Sequence, residues 1–162
     1  MNQDAEKPMN YQKNSDEFFM DMALNEANKA FLINEVPIGA VIVNDDGIVI
    51  SKGFNTNRKN MNFLEHAEIN AMVKACKKLD VKRLDGMTLY VTLEPCLMCL
   101  GAILNAHIKR VVVGLMDSKN GAIKSILNIE ELNFTHKFSY TEGVLKERCL
   151  EVMQLFFKNL RK

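Results

Sequence analysis

Residues 92–102 read TLEPCLMCLGA and place a proline and two cysteines where a buried strand gives way to a helix. The residues that lead into this stretch, Gly86–Leu93 (GMTLYVTL), are rich in apolar and β-branched types, which predicts a strand. Pro95 is predicted to open a short helix that runs through Ala106. A strand followed directly by a helix is the repeating unit of an α/β fold.

The same alternation of strands and helices extends along the rest of the chain. Two β-branched runs that flank Asp46-Gly47 predict a hairpin over residues 37–55. Asn62 followed by Glu65 fits a capping box at the start of the second helix. The remaining predicted elements are helices over 15–33, 63–79 and 143–160, strands over 109–115 and 137–143, and a helical piece over 125–131. Together they predict an α/β sandwich around one sheet.

The length of 162 residues fits a single domain, which we predict over residues 15–162 after a flexible tail at residues 1–14. The tail is polar and resembles neither a signal peptide nor a membrane anchor. No apolar run approaches the roughly 20 residues that a membrane-spanning helix needs. These features predict a cytoplasmic protein, in which paired cysteines more often bind metal or act in catalysis than form disulfides.

The formal net charge is +1, so no strong overall field attracts the protein to nucleic acid or to a membrane. The charge is uneven along the chain, however. Residues 1–60 carry six Lys or Arg against nine Asp or Glu, whereas residues 101–162 carry ten against six. A polyanion would therefore be expected to contact the C-terminal part, although solvated helix faces explain the same charges equally well.

The four cysteines fall into two groups. Cys76 and Cys149 lie on apolar stripes of predicted helices and are predicted to be small core residues. Cys96 and Cys99 lie in the first turns of a helix, where unpaired backbone N–H groups and the helix dipole favour thiolate. That setting suits a redox pair and a metal site equally well, and two inert core thiols are a third interpretation.

The deciding feature lies thirty positions upstream, where LEHAEINA places His66 and Glu68 at the start of another helix. A metal site would combine the His66 nitrogen with the sulfurs of Cys96 and Cys99. This gives three ligands of a tetrahedral zinc and leaves the fourth position open, as in catalytic sites. Glu68 is then close enough to take a proton from a water at the open position without being a ligand. A redox pair would leave His66 and Glu68 unexplained.

At these residues the chain resembles the cytidine-deaminase-like zinc deaminases, which are known by the signature H-x-E…P-C-x-x-C. Within that superfamily it is similar to the bacterial tRNA-specific adenosine deaminases from about Asp16 to Arg161. The stretches that carry the resemblance are NEVPIGAVIV, GFN, LEHAEI, TLYVTLEPCLMCLGA, GLMDSKNGA, NFTHK, EGVLKERC and FFKNLRK. The resemblance implies a three-layer α/β/α cytidine-deaminase-like fold with a central mixed sheet of about five strands.

The resemblance also implies roles for individual residues. His66, Cys96 and Cys99 would bind one Zn²⁺ per chain, and Glu68 would be the catalytic proton carrier. The residues implied to contact the substrate are Ile38, Asn55, Ala67, Leu93, Asp117, Ser118, Lys119, Asn120, Phe157 and Lys158. For the neighbouring Phe156, packing within the fold is the preferred interpretation.

The implied activity is hydrolytic deamination of adenosine to inosine at the wobble position of a tRNA anticodon, with an arginine tRNA as substrate. The implied partners are a tRNA anticodon stem-loop and a second copy of the chain in a homodimer, with no membrane. One alternative is a zinc deaminase of a free base or nucleoside such as guanine or cytosine. Another is a zinc-stabilised RNA-binding module without turnover, against which Glu68 argues because structural zinc sites usually take a fourth protein ligand.

The chain departs from the family pattern in three places. The family usually has Asp-Pro-Thr-Ala before the ligand histidine, whereas residues 62–65 read NFLE here. Leu100 is larger than the small residue common after the second cysteine, and Lys124 stands where a glycine is expected. None of these changes alters a predicted zinc ligand.

Overall fold

The computed structural model describes residues 10–162 and builds them around one five-stranded sheet. In chain order the elements are α1 (Asp16–Leu32), β1 (Gly39–Val43), β2 (Val49–Phe54), α2 (Ala67–Leu79), β3 (Thr88–Leu93), α3 (Leu97–Asn105), β4 (Arg110–Leu115), a 3₁₀ helix (Ile129–Glu131), β5 (Ser139–Thr141) and α4 (Lys146–Leu160). Residues 1–9 of the predicted tail lie outside the described residues. Within the rest of that tail, the Tyr11 hydroxyl accepts a hydrogen bond from Arg148 Nη1 at 3.2 Å.

The sheet is mixed and has the strand order β2-β1-β3-β4-β5. β1 pairs antiparallel with both β2 and β3, whereas the β3–β4 and β4–β5 pairs are parallel. The predicted hairpin is confirmed between β1 and β2. In its turn, Asn44 Oδ1 accepts hydrogen bonds from the backbone N–H groups of Asp46 and Ile48. Gly47 has a φ of 76°, a conformation that glycine adopts without steric cost.

The carboxyl ends of β2, β3 and β4 all lie at one edge of the sheet. Phe54 at the end of β2 pairs with Gly39, and Leu93 at the end of β3 pairs with Leu115. Just beyond the strands, the backbone N–H of Glu94 donates to the carbonyl of Leu115 at 2.8 Å. Helices α2 and α3 follow β2 and β3, so both helices begin near this edge.

Helices cover both faces of the sheet, which confirms the three-layer α/β/α architecture. Successive strand residues point to opposite faces, so the pair Val41–Tyr90 packs against α1 and α4. The next pair, Ile42–Leu89, packs in the core formed with α2 and α3. Cys149 is buried in the first of these cores, as predicted, and Cys76 is partly buried at the border of the second. Across residues 10–162, none of the helices has the length and apolarity required to cross a membrane.

Several predicted boundaries are wrong, among them the start of α2. The helix begins at Ala67 with His66 as its N-cap, so the predicted capping box does not form. The Glu65 carboxylate instead accepts hydrogen bonds from Thr56 Oγ1 and Asn60 Nδ2. The capping box is lost because Glu65 pairs with other polar side chains of the loop between β2 and α2. The predicted helical piece, fifth strand and last helix shorten to Ile129–Glu131, Ser139–Thr141 and Lys146–Leu160.

Candidate active site

Three side chains that could hold a metal converge from two helix starts. His66 is the N-cap of α2, Cys96 is the N-cap of α3, and Cys99 lies in the first turn of α3. His66 Nδ1 lies 3.6 Å from Cys96 Sγ and 3.5 Å from Cys99 Sγ. All three ligand atoms lie within 4.8 Å of one another. The sequence motifs that are thirty positions apart therefore meet in space.

These separations suit a single tetrahedral ion. With a metal–sulfur distance of about 2.3 Å and a metal–nitrogen distance of about 2.0 Å, tetrahedral angles place sulfur and nitrogen roughly 3.5 Å apart. The observed distances from His66 to the two cysteine sulfurs agree with that spacing. Among residues 10–162, this group is the one set of three or more His, Cys, Asp or Glu side chains with converging ligand atoms.

The electrostatics of the group favour the metal-binding form at Cys96, whereas the pKa values of His66 and Cys99 are raised, which favours their protonated forms. A hydrogen bond from the Cys99 thiol, followed by the His66 ring, lowers the pKa of Cys96 to about 4. The hydrogen bond with Cys96 in turn raises the pKa of His66 above its ordinary value. Cys96 is therefore a thiolate at neutral pH, and thiolate is the form of cysteine that binds metals.

Glu68 lies two residues beyond His66, in the first turn of α2, and its side chain is 3% exposed. Burial raises the pKa of Glu68 to about 7, although the neighbouring Cys99 and His66 act in the opposite direction. The carboxyl group lines the same pocket as His66 and Cys96. It therefore lies beside the group that could hold a metal without belonging to it.

A cavity of about 410 Å³ opens onto these residues. The residues that line it are Val36, Ile38, Asn55, Asn57, His66, Glu68, Leu93, Glu94, Cys96, Asp117, Asn120, Met153 and Phe157. Six of the predicted substrate-contacting residues are therefore at the pocket: Ile38, Asn55, Leu93, Asp117, Asn120 and Phe157. Of the others, Ala67 is fully buried at the start of α2, whereas Ser118, Lys119 and Lys158 are exposed and do not line the cavity.

Asn55 is the buried polar group of the pocket with an unused hydrogen-bonding atom. Its side chain is 4% exposed, and its Nδ2 atom donates to the carbonyl of Val36 at 3.4 Å. Its Oδ1 atom is buried and has no hydrogen-bond partner in the protein. Because buried polar atoms are normally paired, Asn55 Oδ1 is available for a donor that enters the pocket.

Sequence reasoning missed four residues that line the cavity, namely Val36, Asn57, Glu94 and Met153. Glu94 is the most informative of them because it is 3% exposed and yet charged. Burial opposes its ionisation, but hydrogen bonds from Ser125 and from backbone N–H groups hold the pKa of Glu94 below its ordinary value. The available signal was the position of this acidic residue between a buried strand and a proline. A buried acid is rarely without partners, so this position indicates a paired carboxylate.

The fold and the site together define a deaminase of the cytidine-deaminase-like class. Residues 14–161 match the family model of the MafB19-like deaminases. The tRNA-specific adenosine deaminase of Bacillus subtilis (strain 168) is 42% identical over 148 residues, which cover 91% of each chain. The chain belongs to the family of tRNA-specific adenosine deaminases.

Two solved structures extend the comparison. A structure from a study of A-to-I editing by tRNA:A34 deaminases at the wobble position of transfer RNA is 40% identical, with a TM-score of 0.79. The match covers 83% of this chain and 98% of that one. A guanine deaminase from Nitrosomonas europaea is 22% identical with a TM-score of 0.77, over 93% of this chain and 88% of its own. At that identity the likeness concerns the fold alone.

Proposed function

We propose that this protein is a zinc-dependent hydrolase that converts adenosine to inosine at the wobble position of a tRNA anticodon, with an arginine tRNA as its substrate. Relatives named tRNA-specific adenosine deaminase support the reaction. Two of them are 42% and 44% identical to the chain, over 91% and 88% of its length. The observation that carries the proposal is that His66 and Cys96, two members of the group that could hold a metal, line the same pocket as the buried Glu68.

Zinc is the proposed metal, one per chain, held by His66, Cys96 and Cys99. One nitrogen and two sulfurs form a donor set that suits Zn²⁺, whereas Mg²⁺ and Ca²⁺ prefer oxygen ligands. Three protein ligands leave a fourth position open, as in catalytic zinc sites. When bound in such a site, zinc lowers the pKa of a water to about 7 and stabilises negative charge on oxygen.

Glu68 is the proposed proton carrier. Its carboxylate takes a proton from the attacking water and delivers it to the purine ring nitrogen. After the oxygen has added at C6, the carboxylate takes the second proton from the new hydroxyl group and delivers it to the departing amine. The reaction adds water at C6 of adenine and releases ammonia, which leaves inosine. Burial serves this role, because a carboxyl group kept from bulk water exchanges its proton with the substrate.

Asn55 is proposed to orient the adenine. An amide side chain can pair with the N6 and N7 atoms of adenine, one as a donor and the other as an acceptor. The free Oδ1 atom of Asn55 supports such a contact. Ile38 and Leu93 form apolar walls of the cavity, and the backbone at Ala67 is proposed to contribute to binding the base.

The remaining predicted residues are proposed to contact the RNA around the target base. Asp117, Ser118, Lys119 and Asn120 would lie near the flanking nucleotides, and Phe157 and Lys158 would touch the anticodon loop. The target base must leave its stack to enter the pocket. In an anticodon loop this extrusion costs at most a few kcal/mol, because the base is already nearly unpaired.

We further propose that residues 15–162 act as a single cytoplasmic deaminase domain and that two copies form a homodimer. An exposed apolar groove between α2 and α3, which includes Met72, Val73 and Ala102, supports a contact between copies. Sedimentation at increasing protein concentration tests the dimer. A mass corresponding to one chain at all concentrations would contradict it.

The activity is tested by incubating the purified protein with anticodon stem-loop transcripts and, separately, with free nucleosides and bases. We expect inosine at the wobble position of an arginine stem-loop, seen as a mass increase of about one dalton after nuclease digestion. Faster release of ammonia from guanine or cytosine would favour the free-base alternative. RNA binding with no product from any substrate would favour the binding-module alternative.

A further inference from the structure

Glu94 is a buried carboxylate at the point where β3 ends, one residue before Pro95. It lies two residues before Cys96 but does not belong to the group of His66, Cys96 and Cys99 that could hold a metal. Both of its oxygens accept hydrogen bonds, and all of the donors lie 23–31 residues further along the chain. The side chain therefore connects the end of β3, close to Cys96, to a loop that is distant in the sequence.

The donors come from the loop between β4 and the 3₁₀ helix. Glu94 Oε1 accepts from the backbone N–H groups of Ile123, Lys124 and Ser125 at 3.2, 2.8 and 3.0 Å. Glu94 Oε2 accepts from the Asp117 backbone N–H at 2.9 Å and from Ser125 Oγ at 2.5 Å. Because this loop contains no strand or long helix, the carboxylate supplies partners that backbone N–H groups would otherwise lack.

Gly121 provides an independent sign of the same contact. An added Cβ at this position would lie 1.9 Å from Glu94 Oε2 and 2.6 Å from the carbonyl oxygen of Asp117. The loop backbone thus passes so close to the carboxylate that no side chain fits between them. A close approach of this kind is one of the few structural reasons to require glycine.

The same loop forms a wall of the pocket. Asp117 and Asn120 line the cavity together with Glu68, while Asp117 Oδ1 accepts a hydrogen bond from the Asn120 backbone N–H at 3.3 Å. We propose that Glu94 is a positioning residue that holds the loop over residues 117–125 as the pocket wall against which the nucleotides flanking the target base bind. This inference rests on the proposed function. In it, Glu94 affects how well the RNA binds in the pocket and takes no part in the chemistry at C6.

Three variants test the role of Glu94. Glu94→Ala removes every hydrogen bond to the loop. Glu94→Gln keeps the shape of the side chain and one oxygen that can accept hydrogen bonds. Its NH2 group, however, would face N–H and O–H donors of the loop, with which it cannot pair. Gly121→Ala displaces the carboxylate while leaving it in the chain. The matched control is Asp16→Asn, which breaks the ion pair between Asp16 and Arg110 at the opposite end of β4.

We expect amide hydrogen exchange at Asp117, Ile123, Lys124 and Ser125 to accelerate at least tenfold in Glu94→Ala. The acceleration should be smaller in Glu94→Gln and absent from the Asp16→Asn control. The KM for the anticodon stem-loop should rise about tenfold with a smaller change in kcat, because a positioning wall binds ground and transition states alike. Gly121→Ala should follow the same pattern, and zinc should stay at one per chain in every variant.

Each alternative result leads to a different conclusion. Unchanged exchange in Glu94→Ala would show that other contacts hold the loop, and faster exchange with an unchanged KM would show that the loop does not fit the RNA. Loss of zinc together with a fall in kcat would show that Glu94 positions the proposed zinc ligand Cys96 instead of the loop. Should Glu94→Ala not fold, Glu94→Gln and Gly121→Ala decide the same question. If the parent itself does not deaminate the stem-loop, the proposed function fails, and the exchange data still decide whether Glu94 holds the loop.

Discussion

Glu68 and Cys99 are both buried beside the same pocket, but they differ in what they offer to chemistry. The sulfur of Cys99 points towards His66 Nδ1 at 3.5 Å and forms part of the converging ligand group. Glu68 stands two residues from His66 and outside that group. If Cys99 binds metal and Glu68 transfers protons, as proposed, variants of the two residues should fail in different ways.

The first prediction concerns Glu68→Gln. The amide has the same shape as the carboxylate but cannot carry a proton between water and base, so kcat for the stem-loop should fall by at least about 10²-fold. Zinc content and RNA affinity should stay at parent values, because Glu68 is no proposed ligand. Single-turnover deamination and metal analysis measure the two quantities. Zinc lost from this variant would show that Glu68 is a ligand.

The second prediction concerns Cys99→Ala. Parent protein should contain about one zinc per chain with two sulfur ligands, and this variant should lose most of it. It should also unfold at a lower temperature, since a bound metal stabilises the folded chain. Metal analysis and X-ray absorption check the parent, and thermal unfolding compares the two. An iron–sulfur cluster in the parent, or full zinc retention in the variant, would overturn the site.

At the scale of elements, the sequence predicts local features well and distant ones poorly. The hairpin around Gly47 and the presence of helices after β2 and β3 follow from short patterns in the chain, whereas the first residue of α2 does not. The capping box fails because the partners of Glu65 are Thr56 and Asn60, on the loop that precedes it. Glu94 was not predicted as a site residue for a different reason, because its partners lie 23–31 residues further along the chain and leave no periodic signal.

The third prediction concerns the junction of α1 with β4. Arg110 makes a bidentate contact with Asp16, at 2.9 and 2.7 Å, and Tyr90 also donates to this carboxylate. The hydrogen bond from Arg110 holds the pKa of Asp16 below its ordinary value despite partial burial. The contribution to stability is therefore full above the unfolded pKa of about 3.9 and is lost as pH falls through the lower folded pKa.

Asp16→Asn should consequently be less stable than the parent at pH 7 by about 1–2 kcal/mol. Between about pH 5 and pH 2, the stability of the parent should fall more steeply than that of the variant. Urea unfolding at several pH values measures both slopes. Parallel stability curves would mean that the pair does not set the acid sensitivity of this junction.

At the scale of the whole molecule, α4 divides its aromatic residues between the core and the pocket. Phe156 is 3% exposed and packs edge-to-face on Phe31 with ring centroids 5.7 Å apart, which confirms its predicted packing role. Phe157 is 42% exposed and lines the cavity, and Lys158 follows it on the surface. The basic end of the chain therefore continues directly from the pocket.

The fourth prediction replaces Lys158, Arg161 and Lys162 together by alanine. If these exposed side chains contact phosphates, tRNA affinity should fall, and the slope of log K against log salt should decrease by roughly 0.7 for each lost contact. Stability and zinc content should change little, because surface substitutions rarely affect folding. Filter binding across a salt series measures the slope, and the KM for the stem-loop should rise.

The matched control for this variant replaces the exposed Lys52, Lys74 and Lys78 by alanine, which changes net charge by the same amount and leaves the groove between α2 and α3 intact. We expect the control to retain most of the parent's salt slope. Equal slopes in the two triple variants would assign the effect to overall charge. A tail variant that matches the parent at every salt concentration would show that the tail is not an RNA surface.

The close contact between Gly121 and Glu94 also constrains how this sequence can diverge. A side chain at position 121 would overlap the carboxylate, so it becomes tolerable only after position 94 has changed to a smaller residue. A smaller residue at 94 leaves the loop N–H groups without partners, so it is disfavoured unless position 121 or the loop changes as well. The two positions form an epistatic pair. Relatives should therefore keep both residues or replace both, and lineages that carry one replacement alone should be rare.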